Sequence, residues 1–274
     1  MGTAKRERQK AGRQARLEEA RKAQKQAETR KRFTSIAIFA LVFVAIVGVL
    51  AFLRRDDGKP AEQSTTGSTA PTATAPVGTL LPLGASITGP TPCPPTDGSA
   101  NRTTSFAEAP PMCIDPNKTY TAKVATTAGD FTIALDATKA PMTVNNFVVL
   151  SRYKFYDGVP FHRVIPGFVV QGGDATGNPA GTGSPGYTVN DELPAAVAEY
   201  VPGSVAMANS GPNTNGSQFF VWTGPNPLPG PQYSLFGRVT EGYDTTVKAI
   251  SDGGSPSGTP TTPATIETVT ITES

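Results

Sequence analysis

The residues best placed to do chemistry stand in one stretch, Phe155 to Asp174, which reads FYDGVPFHRVIPGFVVQGGD. It sets one arginine, Arg163, among aromatic and branched residues and ends in a Gln-Gly-Gly-Asp turn. His162 is the only histidine, so a Ser-His-Asp or Cys-His set would have to use it. No Gly-x-Ser-x-Gly elbow accompanies it, and no pair of carboxylates stands out for acid–base work. Two cysteines and one histidine are too few ligands for zinc. The glycine-rich run Ala175–Gly186 lacks the Gly-Lys-Ser/Thr ending of a phosphate cradle and is expected to be a surface loop. What remains is a reaction that needs neither nucleophile nor cofactor. His162 is expected to be a packed, hydrogen-bonded residue on the strand face opposite Arg163.

A second block, Ser204 to Thr223, reads SVAMANSGPNTNGSQFFVWT: a strand, a Gly/Asn/Pro loop and another strand. Together the two blocks resemble the cyclophilin family of peptidyl-prolyl cis-trans isomerases, and the resemblance spans about residues 119–273. It implies catalysis of rotation about X-Pro bonds, whose barrier of about 18–20 kcal/mol is set by amide resonance. Lowering that barrier requires an apolar pocket to hold the proline ring. It also requires a donor at the imide nitrogen, whose lone pair localises as the bond twists. Arginine suits the second task, being always charged and carrying a rigid fork of N–H groups.

Carried over residue by residue, the resemblance assigns the donor role to Arg163. Phe168, Val169, Phe220 and Leu228 look like the proline pocket, with Tyr233 at its rim. Gln171 resembles the side chain that orients the peptide and Arg163. Asn209, flanked by Ala208, resembles the residue whose backbone pairs with the substrate as an added strand, and Gln218 supports that wall. Spacing alone leaves Phe168 and Phe220 equally readable as ordinary core, and Gln171 and Gln218 as strand-end partners. No cofactor and no metal is implied. Two positions depart from the common pattern: Val169 stands where many relatives carry methionine, and Leu228 where many eukaryotic ones carry tryptophan. The latter implies weak cyclosporin binding. Trp222, the only tryptophan, lies in the strand after Phe219-Phe220 and cannot replace it. The competing function is a binding module of the same fold that docks Pro-containing segments, with turnover incidental.

These side chains need a scaffold. Phe161, Arg163 and Ile165 alternate with His162 and Val164 as in a short strand, Pro166-Gly167 turns, and Phe168 to Gln171 resumes. Upstream, Tyr120–Thr127 and Asp130–Leu135 alternate as a hairpin across Ala128-Gly129. Ala140-Pro141 opens a helix, proline standing where its missing N–H is harmless, and Val144, Phe147 and Val148 keep helical spacing toward a core. Leu235–Val239 reads as a strand, Tyr243–Ile250 as a second helix and Ile266–Ile271 as a closing strand. Many short strands with two helices indicate a mainly β fold, a closed antiparallel barrel. The resemblance implies eight strands with a helix capping each end.

The first third of the chain has another character. Residues 1–32 carry 12 Lys/Arg against 4 Glu, a basic tail; the remainder carries 12 against 18 Asp/Glu. Residues 33–53, from Phe33 to Leu53, are uncharged, and roughly 20 apolar residues span a bilayer. The run is longer than a cleavable leader and ends in Arg54-Arg55-Asp56-Asp57, so it reads as a single transmembrane helix, an uncleaved signal anchor. The basic tail places the amino terminus in the cytoplasm and the rest outside. Residues 54–92, rich in Gly, Pro, Ser and Thr, read as a disordered linker, and 93–118 as a lead-in to a domain over 119–274. Cys93 and Cys113, both outside the membrane on this topology, are expected to form a disulfide, free thiols being the alternative. The expected form is therefore a membrane-anchored, bacterial-looking monomer. It meets lipid through residues 33–53 and Pro-containing protein segments through its domain, with no nucleic acid involved.

Overall fold

Residues 81–225 and 230–274 are described by a computed structural model. The alternation seen upstream forms β3 (Tyr120–Thr126) and β4 (Gly129–Leu135), paired in register from Tyr120–Leu135 to Thr126–Gly129. Tyr120, Ala122, Val124, Phe131 and Ile133 turn inward and are buried, as period-two patterning requires. The nine-residue strand β11 (Thr265–Glu273) pairs with the other edge of β3. β10 (Leu235–Glu241) pairs with β4, followed by β8 (Ser204–Met207), β9 (Phe219–Trp222), β7 (Val169–Gly172) and β6 (Arg163–Ile165).

The expected closed eight-stranded barrel is instead a curled sheet of nine strands, its order running from β5 (Val159–Pro160) through β11, β3, β4, β10, β8, β9 and β7 to β6. One strand expected over Phe161–Ile165 accounts for the difference. Val159-Pro160 pairs with β11 and Arg163–Ile165 with β7, while Phe161 and His162 join neither ladder. Pro160 offers no N–H to a ladder, and Phe161 donates its own to the Ala264 carbonyl at 2.9 Å while its ring sinks into the core. The two ends of the sheet are thus consecutive in the chain and joined by two residues, without hydrogen bonds of a ladder between them.

Helix α1 (Pro141–Arg152) starts on proline as expected, but Ala140 has no side chain to cap it. Glu192 does so from afar, accepting the N–H groups of Met142 at 3.0 Å and Thr143 at 2.7 Å. A carboxylate there also matches the positive end of the helix dipole. Phe147 on α1 meets the rings of Tyr156, Phe219 and Phe236 at centroid distances of 5.2, 5.5 and 5.2 Å. Burial is not confined to the face of Val144, Phe147 and Val148: every residue from Thr143 to Arg152 is buried.

The outer face of α1 is covered by the segment before β3. Its strands β1 (Ala85–Ile87) and β2 (Thr103–Phe106) pair in parallel. Asn145 donates to the Pro111 carbonyl and accepts the Cys113 N–H, and Tyr153 donates to the Pro92 carbonyl. Cys93 and Cys113 are joined in a disulfide that closes a loop around β2 within this cover.

The second helix expected over Tyr243–Ile250 enters as a π-helical turn (Tyr243–Val247) before α2 (Lys248–Asp252). The Gly242 carbonyl accepts both the Thr246 and Val247 N–H groups, which widens the first turn. Among the described residues no helix is long and apolar enough to cross a membrane. The basic tail, the apolar run 33–53 and the linker up to residue 80 lie outside the described residues, as does Leu228.

Candidate active site

The run FFVW in β9 shows no alternation because both of its faces are covered. Phe219 and Val221 point into the main core, while Phe220 and Trp222 join a second apolar cluster on the outer side of the sheet. β7 divides in the same way, with Val170 inside and Val169 outside, and β8 likewise, with Met207 inside and Ala206 outside. The outer cluster gathers Val169, Tyr200, Ala206, Phe220 and Trp222, with Phe168, Ala208 and Tyr233 packed against it half-buried. Phe168 sits edge-on to Trp222 at 4.9 Å and Phe220 edge-on to Tyr233 at 5.2 Å. The Tyr200 hydroxyl holds Tyr233 by its main chain, donating to its carbonyl and accepting its N–H. The result is an apolar shelf whose aromatic walls are fixed by one another.

Register places the polar groups along this shelf. Arg163 lies opposite Gln171, Gln171 opposite Phe220, Phe220 opposite Ala206 and Ala206 opposite Leu235, one row across five strands. Arg163 is exposed, and its guanidinium carbon stands 5.7 Å from the centre of the Phe168 ring. Its Nη1 donates to Gln171 Oε1 at 3.1 Å, and Gln171 Nε2 donates to Gln218 Oε1 at 3.2 Å. The guanidinium is thereby aimed along the rim of the shelf, with its other nitrogens making no hydrogen bond among the described residues.

Beside this row runs a groove of about 500 Å³ lined by Gln171, Gly181 to Ser184, Ala208, Asn209 and Gln218, among others. Asn209 is braced by its side chain, Nδ2 donating to the Gln232 carbonyl at 2.9 Å and Oδ1 accepting the Gly211 N–H at 3.3 Å. Ala208 donates its N–H to the Gln218 carbonyl, whereas the Asn209 main chain makes no hydrogen bond among the described residues. An extended peptide can pair there. A second hollow of about 410 Å³, between Lys118, Asp136, Lys139 and Arg238, contains none of the arginine, glutamine or aromatic groups of the shelf.

The run Ala175–Gly186 is more than the surface loop expected of it, since it forms one wall of the groove and is built around Asp174. Burial works against the charged form of that carboxylate. Four backbone N–H groups outweigh burial and hold the carboxyl below its ordinary value. His162 also departs from expectation. It is half-buried against the Gly181 side of the loop, yet neither ring nitrogen has a hydrogen-bond partner among the described residues. Burial pushes its pKa down, against the pull of Asp174 and neighbouring Gln218, which favours the neutral ring.

The model of the cyclophilin-type peptidyl-prolyl cis-trans isomerases matches residues 121–271, more than half of the chain. The chain belongs to that family. Among curated relatives, peptidyl-prolyl cis-trans isomerase A of Mycobacterium tuberculosis is 40% identical over 186 residues, covering 61% of this chain and all of the relative. Peptidyl-prolyl cis-trans isomerase-like 1 of Gibberella zeae is 46% identical over 121 residues, covering 44% of this chain and 75% of that protein. Of solved structures, a Cryptosporidium parvum cyclophilin-type isomerase superposes with a TM-score of 0.52 at 29% identity, over 56% of this chain and 98% of that one. The same protein solved in the presence of the dipeptide Ala-Pro gives a TM-score of 0.51.

The cyclophilin domain thus brings Arg163, Phe168, Val169, Gln171, Ala208, Gln218, Phe220 and Tyr233 onto one shelf, and sets Asn209 beside it in the groove. Three residues at the site escaped sequence reasoning: Trp222 behind Phe168, Tyr200 behind Tyr233, and Asp174 under the loop. The signal for Trp222 was the unbroken apolar run FFVW, which half-buried strands do not show. Tyr200 carried no local signal, because its contact is made 33 residues away in sequence.

Proposed function

We propose that this chain is a membrane-anchored prolyl isomerase working on proteins outside the cytoplasmic membrane, with no cofactor and no covalent intermediate. In this reading the proline ring seats on the shelf of Phe168, Val169 and Phe220, with Tyr233 at its edge. The strand before the proline pairs with Asn209 and Ala208, and Gln171 and Gln218 hold the peptide and Arg163 in register. As the imide bond twists, its nitrogen lone pair localises, and Arg163 donates to it. A hydrogen bond made only in the twisted state lowers the barrier without tightening the ground state.

The observation that carries this reading is the Arg163 guanidinium. It is anchored by one nitrogen to Gln171 and stands beside the Phe168 ring of an apolar shelf on an exposed residue, its other nitrogens making no hydrogen bond among the described residues. The Ala-Pro dipeptide used with the Cryptosporidium parvum relative matches the substrate class proposed here. The anchor rests on the uncharged run Phe33–Leu53, preceded by 12 basic residues, which favours a cytoplasmic amino terminus. The chain acts as a monomer, tethered by residues 33–53 in lipid and a Pro/Thr-rich linker.

Two measurements test the proposal. Full-length protein in detergent should accelerate isomerisation of an Ala-Pro peptide, and binding of that peptide without acceleration would favour a docking module. Protease added to sealed cells should release the domain, and a protected domain would refute the topology.

A further inference from the structure

Arginine ends in donors only, and this forces the polarity of everything behind it. Gln171 must turn Oε1 to Arg163, so its NH₂ faces Gln218, which must answer with its own Oε1. Gln218 Nε2 is then left to donate to the carbonyls of Gly181 at 3.0 Å and Gly183 at 3.3 Å. The N–H groups of the same two glycines donate to Asp174 Oδ2, at 2.6 and 2.9 Å. Thr176 and Gly177 donate to Oδ1, at 3.0 and 2.7 Å. Every donor on this path points from a cation at the rim to a carboxylate that is 2% exposed. The C=O and N–H of each glycine belong to neighbouring peptide units joined at Cα, so what the loop carries between Asp174 and Gln218 is position: fixing the N–H groups on the carboxylate fixes where the carbonyls meet Gln218. The loop is shaped to allow it: a Cβ at Gly177 or Gly183 would fall 2.1 or 2.0 Å from the carboxylate oxygens.

We propose that Asp174 is a positioning residue for prolyl isomerisation, holding the Arg163 guanidinium in place through the 176–184 loop, Gln218 and Gln171. The inference rests on the donor role given to Arg163 above. It says that the buried carboxylate, which touches no substrate, sets the rate through a path of hydrogen bonds. A loop that Asp174 merely shaped for stability would leave the chemical step alone.

The test measures kcat and KM on an Ala-Pro peptide, and thermal stability, for the full-length protein in detergent. The variants are Asp174→Asn, Gln218→Ala, their double and Arg163→Ala. Asparagine keeps the size of Asp174 but turns an NH₂ toward one pair of loop N–H groups, so half of the cradle is lost. The expected result is a fall in kcat on the order of ten-fold for Asp174→Asn, with KM within about two-fold. The double variant should be no slower than the slower single, because both break one path. Losses that multiply, or a change in KM or melting temperature alone, would overturn the inference. So would an Asp174→Asn variant with unchanged kcat beside an impaired Arg163→Ala, which would leave the donor role standing. A folded Arg163→Ala with full activity would instead overturn the donor role itself. Should Asp174→Asn not fold, Thr176→Val carries the same comparison. It removes only the hydroxyl that closes the loop on the Ser184 N–H and carbonyl, both at 3.0 Å.

Discussion

Replacing Arg163 by alanine separates chemistry from stability more cleanly than any other change in this domain. Arg163 is exposed, and among the described residues its side chain makes one hydrogen bond, to Gln171, and stands over Phe168. An exposed cation–π contact contributes about 0.5–1 kcal/mol, and a screened surface hydrogen bond adds little. For a domain of this size about 1 kcal/mol shifts the melting temperature by only about 2–4 °C. The effect on rate is of a different order. Removing one preorganised donor aimed at the transition state costs about 10²–10³ in turnover, or roughly 2.7–4 kcal/mol. The uncatalysed interconversion takes tens to hundreds of seconds at 25 °C, slow enough that such a loss is readable in a coupled or NMR exchange assay. Peptide affinity should change little, since the shelf of Phe168, Val169 and Phe220 remains. Arg163→Lys should fall between, because one ammonium cannot both hold Gln171 and reach the nitrogen. A folded Arg163→Ala protein retaining more than about a third of the original kcat would refute the argument, since that corresponds to less than about 0.7 kcal/mol of the barrier.

Other outcomes follow from the same contacts. Trp222 is the sole tryptophan and packs on Phe168, so titrating an Ala-Pro peptide should change its fluorescence, and Phe168→Ala should abolish the change. Replacing Cys93 and Cys113 by serine frees a loop spanning 20 positions. The chain-entropy value is about 3 kcal/mol, so the melting temperature should fall, by up to roughly 10 °C, with kcat kept. His162 has its pKa lowered by burial, so the unfolded chain takes up the proton first. The stability it contributes is complete above about pH 6.5 and is lost as pH falls through that value to the lower folded one. Melting temperatures between pH 7.5 and 5.5 should therefore decline in the native protein and decline less in His162→Gln. Cyclosporin should inhibit weakly, and Leu228→Trp should strengthen inhibition.

How much of this was legible in the chain follows from the range of the interactions. The hairpin of Tyr120 to Leu135 and the helix opening at Pro141 were readable because alternation, periodicity and a helix-start proline act within a few residues. The family, and with it the roles offered for Arg163, Gln171 and Phe220, was readable because the two blocks carry unusual residues at fixed spacing. Sequence patterning could not say that Phe161 and His162 would drop out of the ladder. The Phe161 N–H instead follows Val159-Pro160, bonding Ala264 in the register already set with β11, about a hundred residues on. Patterning likewise could not show why α1 is buried throughout from Thr143 to Arg152, since its cover is held by Asn145 and the Cys93–Cys113 bridge. Nor did spacing order Asp174, Gly181, Gly183, Gln218, Gln171 and Arg163 into one path. Hydrogen bonds are directional and short, and only the curled sheet brings Gln218 of one block within reach of Gln171 in the other, 47 residues away.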